Sequence, residues 1–274
     1  MPPELKIASF AYHEVTDDAT ASGFQRPGAL PYKLGCGAFR EHLDRFAAAP
    51  CAPTLARDIE WSRPGRHLLL TFDDGGKSAL HAGDELCRRG WRGHFFIVTS
   101  RIGDRTFLDA SEIRYLKSCG HVIGSHSHTH PDIFREESVA KMAEEWLVSC
   151  DTLAALLGSP CDIASVPGGD ISPAVLQSAP VAGLRYLFTS EPWLRPRMVD
   201  ACRVLGRFAP KTSTTPGRVQ ELAQFRGWGR ARAVRELKVL ARRALAPVYR
   251  WQVARDSRES PGAADGVGPS LARR

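Results

Sequence analysis

Seven short apolar or β-branched runs, interleaved with longer stretches of helical periodicity, set the tightest limit on what this chain can fold into. The runs are Lys6 to Tyr12, His67 to Phe72, His94 to Val98, His121 to Ser125, Asp162 to Val166, Arg185 to Thr189 and Arg203 to Phe208. Helical spacing marks Phe39 to Ala48, Ala79 to Arg89, Ala110 to Ser118, Glu136 to Leu157, Pro173 to Ala182 and Gly217 to Phe225. Strand then helix, repeated, calls for a parallel sheet covered by helices, and about seven repeats can close into a barrel. Leu68-Leu69-Leu70 is the continuous apolar run of a strand buried on both faces. The expected fold is therefore α/β, a (β/α)7-type barrel, whose chemistry should sit at the carboxyl ends of its strands.

With 274 residues, 43% of them hydrophobic and 24% charged, the chain is expected to be a soluble globular protein, which excludes bulk disorder and a membrane-embedded bundle. Met1 to Lys6 shows no basic segment followed by an apolar stretch, and the longest apolar runs are too short to span a bilayer. A cytoplasmic setting is the expectation. Seven scattered cysteines without a Cys-x-x-Cys pair fit reduced thiols. The net charge of +7 is concentrated late: Arg203 to Arg258 holds fourteen basic residues against three acidic ones. There Val234, Leu237, Leu240, Ala241, Ala244, Leu245 and Val248 form a helical apolar stripe that Pro247 is expected to interrupt. Residues 229–250 could lie on an anionic membrane, on its inner face, or form a last helix docked on the body with its basic side solvated. No paired recognition helices or zinc-finger spacing point to nucleic acid. The expected division is a barrel unit over 1–228, a basic helical extension over 229–253 and a disordered tail over 254–274.

Two strand ends carry chemistry. The run His67 to Phe72 leads into Asp73-Asp74-Gly75-Gly76, where adjacent carboxylates repel unless a cation neutralises one and leaves the other to accept protons. A plain Asp-Asp-Gly turn is the alternative. Gly76-Lys77-Ser78 is not the end of a phosphate-binding loop, because Thr71 occupies the position of the required glycine and two carboxylates precede it. The run ending at Ser125 leads into His126-Ser127-His128-Thr129-His130. Imidazoles are the commonest neutral ligands of divalent ions. His126 and His130 can converge while His128 points elsewhere, and Asp74 would complete a set that leaves positions open for water and substrate. An exposed polar turn is the competing reading.

Thr71-Phe72-Asp73-Asp74-Gly75 followed about fifty residues later by His126-Ser127-x-x-His130 resembles the polysaccharide deacetylase family with the NodB homology domain, carbohydrate esterase family 4, over roughly Ile7 to Phe208. The resemblance implies a distorted barrel, one divalent ion, most often zinc, on Asp74, His126 and His130, and Asp73 as general base. The family's Arg-x-Pro-x-Gly motif aligns with Ser165-Val166-Pro167-Gly168-Gly169, so the Gly168 N–H is kept as an oxyanion donor while serine replaces the base-orienting arginine. Arg207 and Arg185, near other strand ends, are candidate substitutes. The family's late histidine acid is absent, since no histidine follows His130. Tyr12-His13 resembles instead the first strand of the poly-β-1,6-N-acetylglucosamine deacetylase branch, whose elements are permuted, which implies His13 as the general acid. Glu14 should face the other way. Phe188, Trp193 and Arg207 are candidate substrate contacts, and His42, His67, His81, His94 and His121 are read as surface or strand-edge residues. The implied reaction is metal-assisted removal of an N-acetyl group from an amino-sugar saccharide, either intracellular or lipid-linked. The alternatives are a deformylase or related C–N hydrolase of the superfamily, or a non-catalytic saccharide-binding protein on the same fold.

Overall fold

The computed structural model describes residues 4–256, so most of the expected tail lies outside the described residues. The order is β1 (Leu5–Tyr12), β2 (Glu14–Val15), β3 (Lys33–Leu34), α1 (Cys36–Ala47), β4 (Gly65–Phe72), α2 (Ala79–Arg88), β5 (His94–Ile97), α3 (Ala110–Ser118), β6 (Val122–Ser125), α4 (Val139–Leu157), β7 (Ile163–Ser165), α5 (Pro173–Val181), β8 (Tyr186–Phe188), β9 (Arg197–Val199), β10 (Cys202–Leu205), α6 (Pro216–Ala223), α7 (Trp228–Ala244) and α8 (Ala246–Asp256). All seven expected strands and all six expected body helices form. The local signals at their ends are strong: Asp109 and Glu112 make a capping box at α3, and Gly158 ends α4 in a left-handed turn.

One sheet runs β1-β4-β5-β6-β7-β8-β10-β9, parallel except for β9, which pairs antiparallel with β10. Beyond β10 the chain reaches back to β1: Phe208 bridges Phe10, its N–H donating to Ser9 O (2.9 Å) while its carbonyl accepts from Ala11 N (2.9 Å). That bridge curls the sheet into a nearly closed barrel and puts β1 between the strand carrying Asp73 and the segment carrying Arg207.

The two-residue period of a strand sorts its side chains. Ala8, Phe10, Tyr12, Leu68, Leu70, Phe72 and Phe95 pack outward against the helices. Ile7, Leu69, Phe96, Val122, Ile163, Phe188 and Leu205 fill the interior. At Gly124 a side chain could not fit, since an added Cβ would lie 2.7 Å from Ile163 O and 2.8 Å from the Phe96 ring. Continuing the inward alternation to the strand ends gives His13, Asp73, His126, Ser165 and Arg207, so polar groups form the layer above an apolar plug.

The helical stripe is interrupted at Pro247 as expected: α7 ends at Ala244 and a separate α8 begins at Ala246, with Pro247 in its first turn, where its missing N–H has no acceptor to lose. Of the two readings of the C-terminal apolar stripe, docking on the body does not hold. Trp228 and Ala231 are buried, but Leu237, Leu240, Leu245, Val248 and Trp251 are each more than half exposed. The face of α7 turned to the body carries Arg235, which bonds both Asp170 and Glu191. No helix of the described residues is long and apolar enough to cross a membrane.

Candidate active site

Asp73 and Asp74 follow β4 directly, yet their carboxylates serve different neighbours. Asp73 continues the inward face, its N–H donating to Tyr12 O (2.8 Å). Alternation would send Asp74 outward, but its backbone takes the left-handed region at φ 73° and its carboxylate lies buried against the histidines. His130 (φ 56°) and Ser127 (φ 65°) are left-handed too. Three non-glycine residues in this region within one small site are backbone strain held where chemistry is done. Beneath the turn, Glu14 is buried and accepts from the hydroxyls of Ser78 (2.6 Å) and Ser22, while Ser78 Oγ accepts from Val15 N (2.9 Å). Glu14 thus faces away from the cleft, as its strand position requires, and ties the Gly76-Lys77-Ser78 segment to β2. Burial pushes its carboxyl up to about 7, against the two serine hydrogen bonds.

Asp74, His126 and His130 offer three ligand atoms within 4.8 Å of one another. The Nε2 atoms of His126 and His130 stand 3.3 Å and 3.7 Å from Asp74 Oδ1. His126 Nδ1 faces the Ser165 carbonyl (2.9 Å) and hydroxyl (2.6 Å), which holds a proton on Nδ1 and turns Nε2 towards Asp74. Two imidazoles and one buried carboxylate form a donor set suited to zinc or a similar divalent ion, so the residues present fit the group the sequence implies. His130 Nδ1 accepts from the Arg26 guanidinium (3.2 Å), which leaves the His130 proton on Nε2; ligation there requires Arg26 to release this contact, and Asp132 already holds its other nitrogen at 3.1 Å. His128 turns away to Thr99 (3.0 Å).

The Asp73 carboxylate is clamped by Arg207 in a two-point pair, Nη1 to Oδ1 at 2.7 Å and Nη2 to Oδ2 at 2.8 Å, with both side chains buried. Arg207 spends two further donors on Thr189 O (3.0 Å) and Thr71 Oγ1 (2.9 Å). Ser165 Oγ donates to Asp73 Oδ1 at 3.0 Å. The position where the family motif carries arginine therefore still reaches Asp73, and the charge itself comes from Arg207. Burial alone would raise the Asp73 carboxyl, but Arg207 and then His126 hold it below the usual range. Asp74 is likewise low despite burial, through its hydrogen bond from His126 and the charges of the histidines around it. His126 is raised despite burial, by Asp73 and Asp74, whereas burial takes His130 down to about 3.

His13 caps β1 beside Asp73, and its Nδ1 is buried without a hydrogen-bond partner. Burial lowers its pKa, with Asp74 and Asp73 opposing. Its ring lies against Tyr32 at 4.6 Å. Gly168 sits at φ 66° in a tight turn, with open space where a side chain would project. His13, Asp73, Asp74, His130, Gly168 and Arg207 all line one cleft of about 480 Å³.

Several expectations need correction. Phe188 is not a substrate contact: it is fully buried one layer below the site, against Phe96 (5.3 Å) and beneath Arg207. Trp193 lies outside the cleft, packed on Gly206 and under the Arg197 guanidinium (3.9 Å). Arg207 reaches the cleft, but four of its five N–H groups are taken by Asp73, Thr71 and Thr189, so it holds the Asp73 carboxylate rather than grips substrate. Arg185 is exposed at the amino end of β8, 3.6 Å from Asp162, far from this role. His42, His94 and His121 are buried struts, not surface residues. His42 meets the Tyr12 hydroxyl (3.1 Å), His94 Nε2 accepts from Ala56 N (3.0 Å) and His121 Nδ1 accepts from Gly93 N (3.1 Å). Among the residues missed were Ser165 as a partner of Asp73, Arg26 and Tyr32 of the segment between β2 and β3, and the α7 wall; nothing in local spacing marks them.

Residues 61–187 match the polysaccharide deacetylase family model, a span that includes the Asp73-Asp74 and histidine motifs and leaves out His13 and Arg207. No curated protein matches the chain. Among solved structures, the Streptococcus pyogenes deacetylase PplD in complex with acetate is 17% identical and superposes with a TM-score of 0.67 over 80% of this chain and 99% of that one. IcaB from Ammonifex degensii gives 21% identity and 0.67 over 81% and 98%. The BpsB deacetylase domain from Bordetella bronchiseptica gives 17% and 0.60 over 77% and 98%.

Proposed function

We propose that this chain, whose residues 61–187 match the polysaccharide deacetylase family model, hydrolyses the N-acetyl group of an amino sugar in a saccharide, using a divalent ion held by Asp74, His126 and His130. The observation that carries this reading is the buried Asp73–Arg207 pair opening on the same cleft as the three-ligand cluster. A binding module has no use for a second carboxylate kept ionised beside the ligand carboxylate. When bound, the ion supplies Lewis acidity, polarising the acetamide carbonyl and lowering the pKa of water. Asp73 accepts the proton of the attacking water, and Arg207 keeps that carboxylate ionised and oriented. The Gly168 N–H donates to the developing oxyanion. His13 hands a proton to the departing amine, so acetate and a free amino sugar leave. Acetate release from N-acetylated saccharides by the metal-loaded protein tests the reading, and a metal-loaded protein releasing neither acetate nor formate from a broad panel would sink it.

His13 should reveal itself in the pH profile. It acts in its protonated form, so turnover declines as pH rises through its pKa, and burial moves that decline below the pH expected for an exposed histidine. His13→Asn is expected to lower kcat by about 10²-fold or more and to abolish this alkaline limb. An unchanged profile would remove the acid assignment and leave the hydrolase intact.

The exposed stripe of Leu237, Leu240, Leu245, Val248 and Trp251 supports a membrane-surface setting and a lipid-linked glycan as substrate. Sedimentation with anionic vesicles is expected, weakened by Leu237→Asp with Leu240→Asp. Equal recovery with zwitterionic vesicles or no recovery at all would refute that setting.

A further inference from the structure

The cleft is far more basic than hydrolysis of a neutral saccharide requires. Besides the Asp73–Arg207 pair, its walls carry Arg26, Lys211, Arg218, Arg230, Arg235 and Lys238, the last three from α7. Some of these are balanced where they stand: Arg26 by Asp132, Arg218 by Glu221, and Arg235 by Asp170 and Glu191. Among the described residues no carboxylate pairs with Lys211 or Arg230. Lys211 has its ammonium 4.8 Å from the face of Tyr32, whose other neighbour is His13 at 4.6 Å, so this cation lies within about 10 Å of the imidazole. That is the span of a monosaccharide with its linkage. Arg230 is exposed on the first turn of α7, on the cleft side. Like charges converging on a concave, partly apolar mouth repel one another and focus their field into the cavity, which an anionic ligand relieves.

We infer that the cleft takes a phosphorylated saccharide, with Lys211 and Arg230 binding a phosphate or diphosphate one sugar away from the N-acyl group presented to Asp74, His126 and His130. The inference rests on the deacylase reading for the identity of the acyl group, and on the cation placement alone for the phosphate. Guanidinium and ammonium groups give charge-assisted hydrogen bonds to phosphate oxygens, and a dianion answers two cations at once. Helix α7 thereby serves two ends: its body-facing side forms the anion wall, while its outer stripe remains exposed.

The test uses the full-length, metal-loaded protein with three substrates: N-acetylglucosamine 1-phosphate, the same sugar on a polyprenyl phosphate in phosphatidylcholine vesicles, and neutral N-acetylglucosamine oligomers. Affinity for inorganic pyrophosphate is measured separately by calorimetry. A phosphorylated substrate should exceed the neutral oligomers in kcat/KM by about 10-fold or more. Lys211→Ala with Arg230→Ala should erase that advantage chiefly through KM, leave neutral turnover unchanged and weaken pyrophosphate binding by a similar factor. Arg232→Ala, whose partner on the same helix is Glu236, should do neither. Preference for the vesicle-borne substrate assigns the phosphate to a lipid carrier, and equal use of the soluble one assigns it to a free sugar phosphate. Equal turnover of phosphorylated and neutral sugars, or pyrophosphate binding indifferent to the double variant, overturns the inference. No turnover of any substrate, with pyrophosphate binding still lost in the double variant, sinks the deacylase reading and retains the phosphate site.

Discussion

Arg207→Met is expected to cost about 10²-fold or more in acetate release and to destabilise the fold by about 3–5 kcal/mol, because it leaves a buried carboxylate without its partner. Both guanidinium–carboxylate contacts are short and neither side chain reaches solvent, so water cannot replace the lost donors. Arg207→Lys should not restore activity, since a single ammonium cannot span both Asp73 oxygens and also reach Thr71 and Thr189. The linkage has a definite sign. Asp73 titrates below its unfolded value, so the pair contributes stability fully above about pH 4 and loses it as pH falls through the folded value. In the variant the carboxyl can escape its penalty by protonation. The stability gap between wild type and Arg207→Met should therefore narrow in acid, as read by urea unfolding at several pH values. Wild-type turnover in the variant would reduce Arg207 to a strut and leave Asp73 without its orienting group.

The adjacent carboxylates should separate cleanly by substitution. Asp74→Ala is expected to lose the metal on dialysis and with it all measurable acetate release, since two neutral imidazoles remain as ligands. Asp73→Asn should keep stoichiometric metal, because its side chain belongs to Arg207 and Ser165, yet lose about 10³-fold in kcat for want of a proton acceptor. Metal content and acetate release on the same preparations decide the matter. Full metal in Asp74→Ala would place the ion elsewhere, and near-normal turnover in Asp73→Asn would transfer the base role to another group.

Much of this site was readable because its signals are local. Asp73-Asp74 and His126 to His130 each lie within a few residues at the end of a strand, where spacing alone says which groups can converge. His13 was legible only through the resemblance of Tyr12-His13 to the first strand of a permuted deacetylase branch, and the register of Tyr12 beside Phe72 puts it in the layer of Asp73. Phe188 and Trp193 show the limit of such reasoning. Both stand at or near a strand end, yet one points into the apolar layer below the site and the other packs outside the cleft, and only the depth of each strand in the barrel separates those outcomes. The buried histidines make the same point: His94 and His121 look like charged strand beginnings, but each finds a distant backbone N–H that satisfies it in the interior.

Alternation of short apolar runs and helical segments, together with two polar motifs at strand ends, determined the barrel, the end at which its chemistry lies and the three groups able to hold an ion. These follow from periodicities of two and 3.6 residues, which any short stretch of chain expresses on its own. The orienting guanidinium 134 residues from its carboxylate, the serine beside it and the basic wall supplied by α7 were decided by tertiary structure. They depend on the Phe10–Phe208 bridge that curls the sheet and on the seating of Trp228 in the core, contacts between segments whose own sequences carry no record of one another.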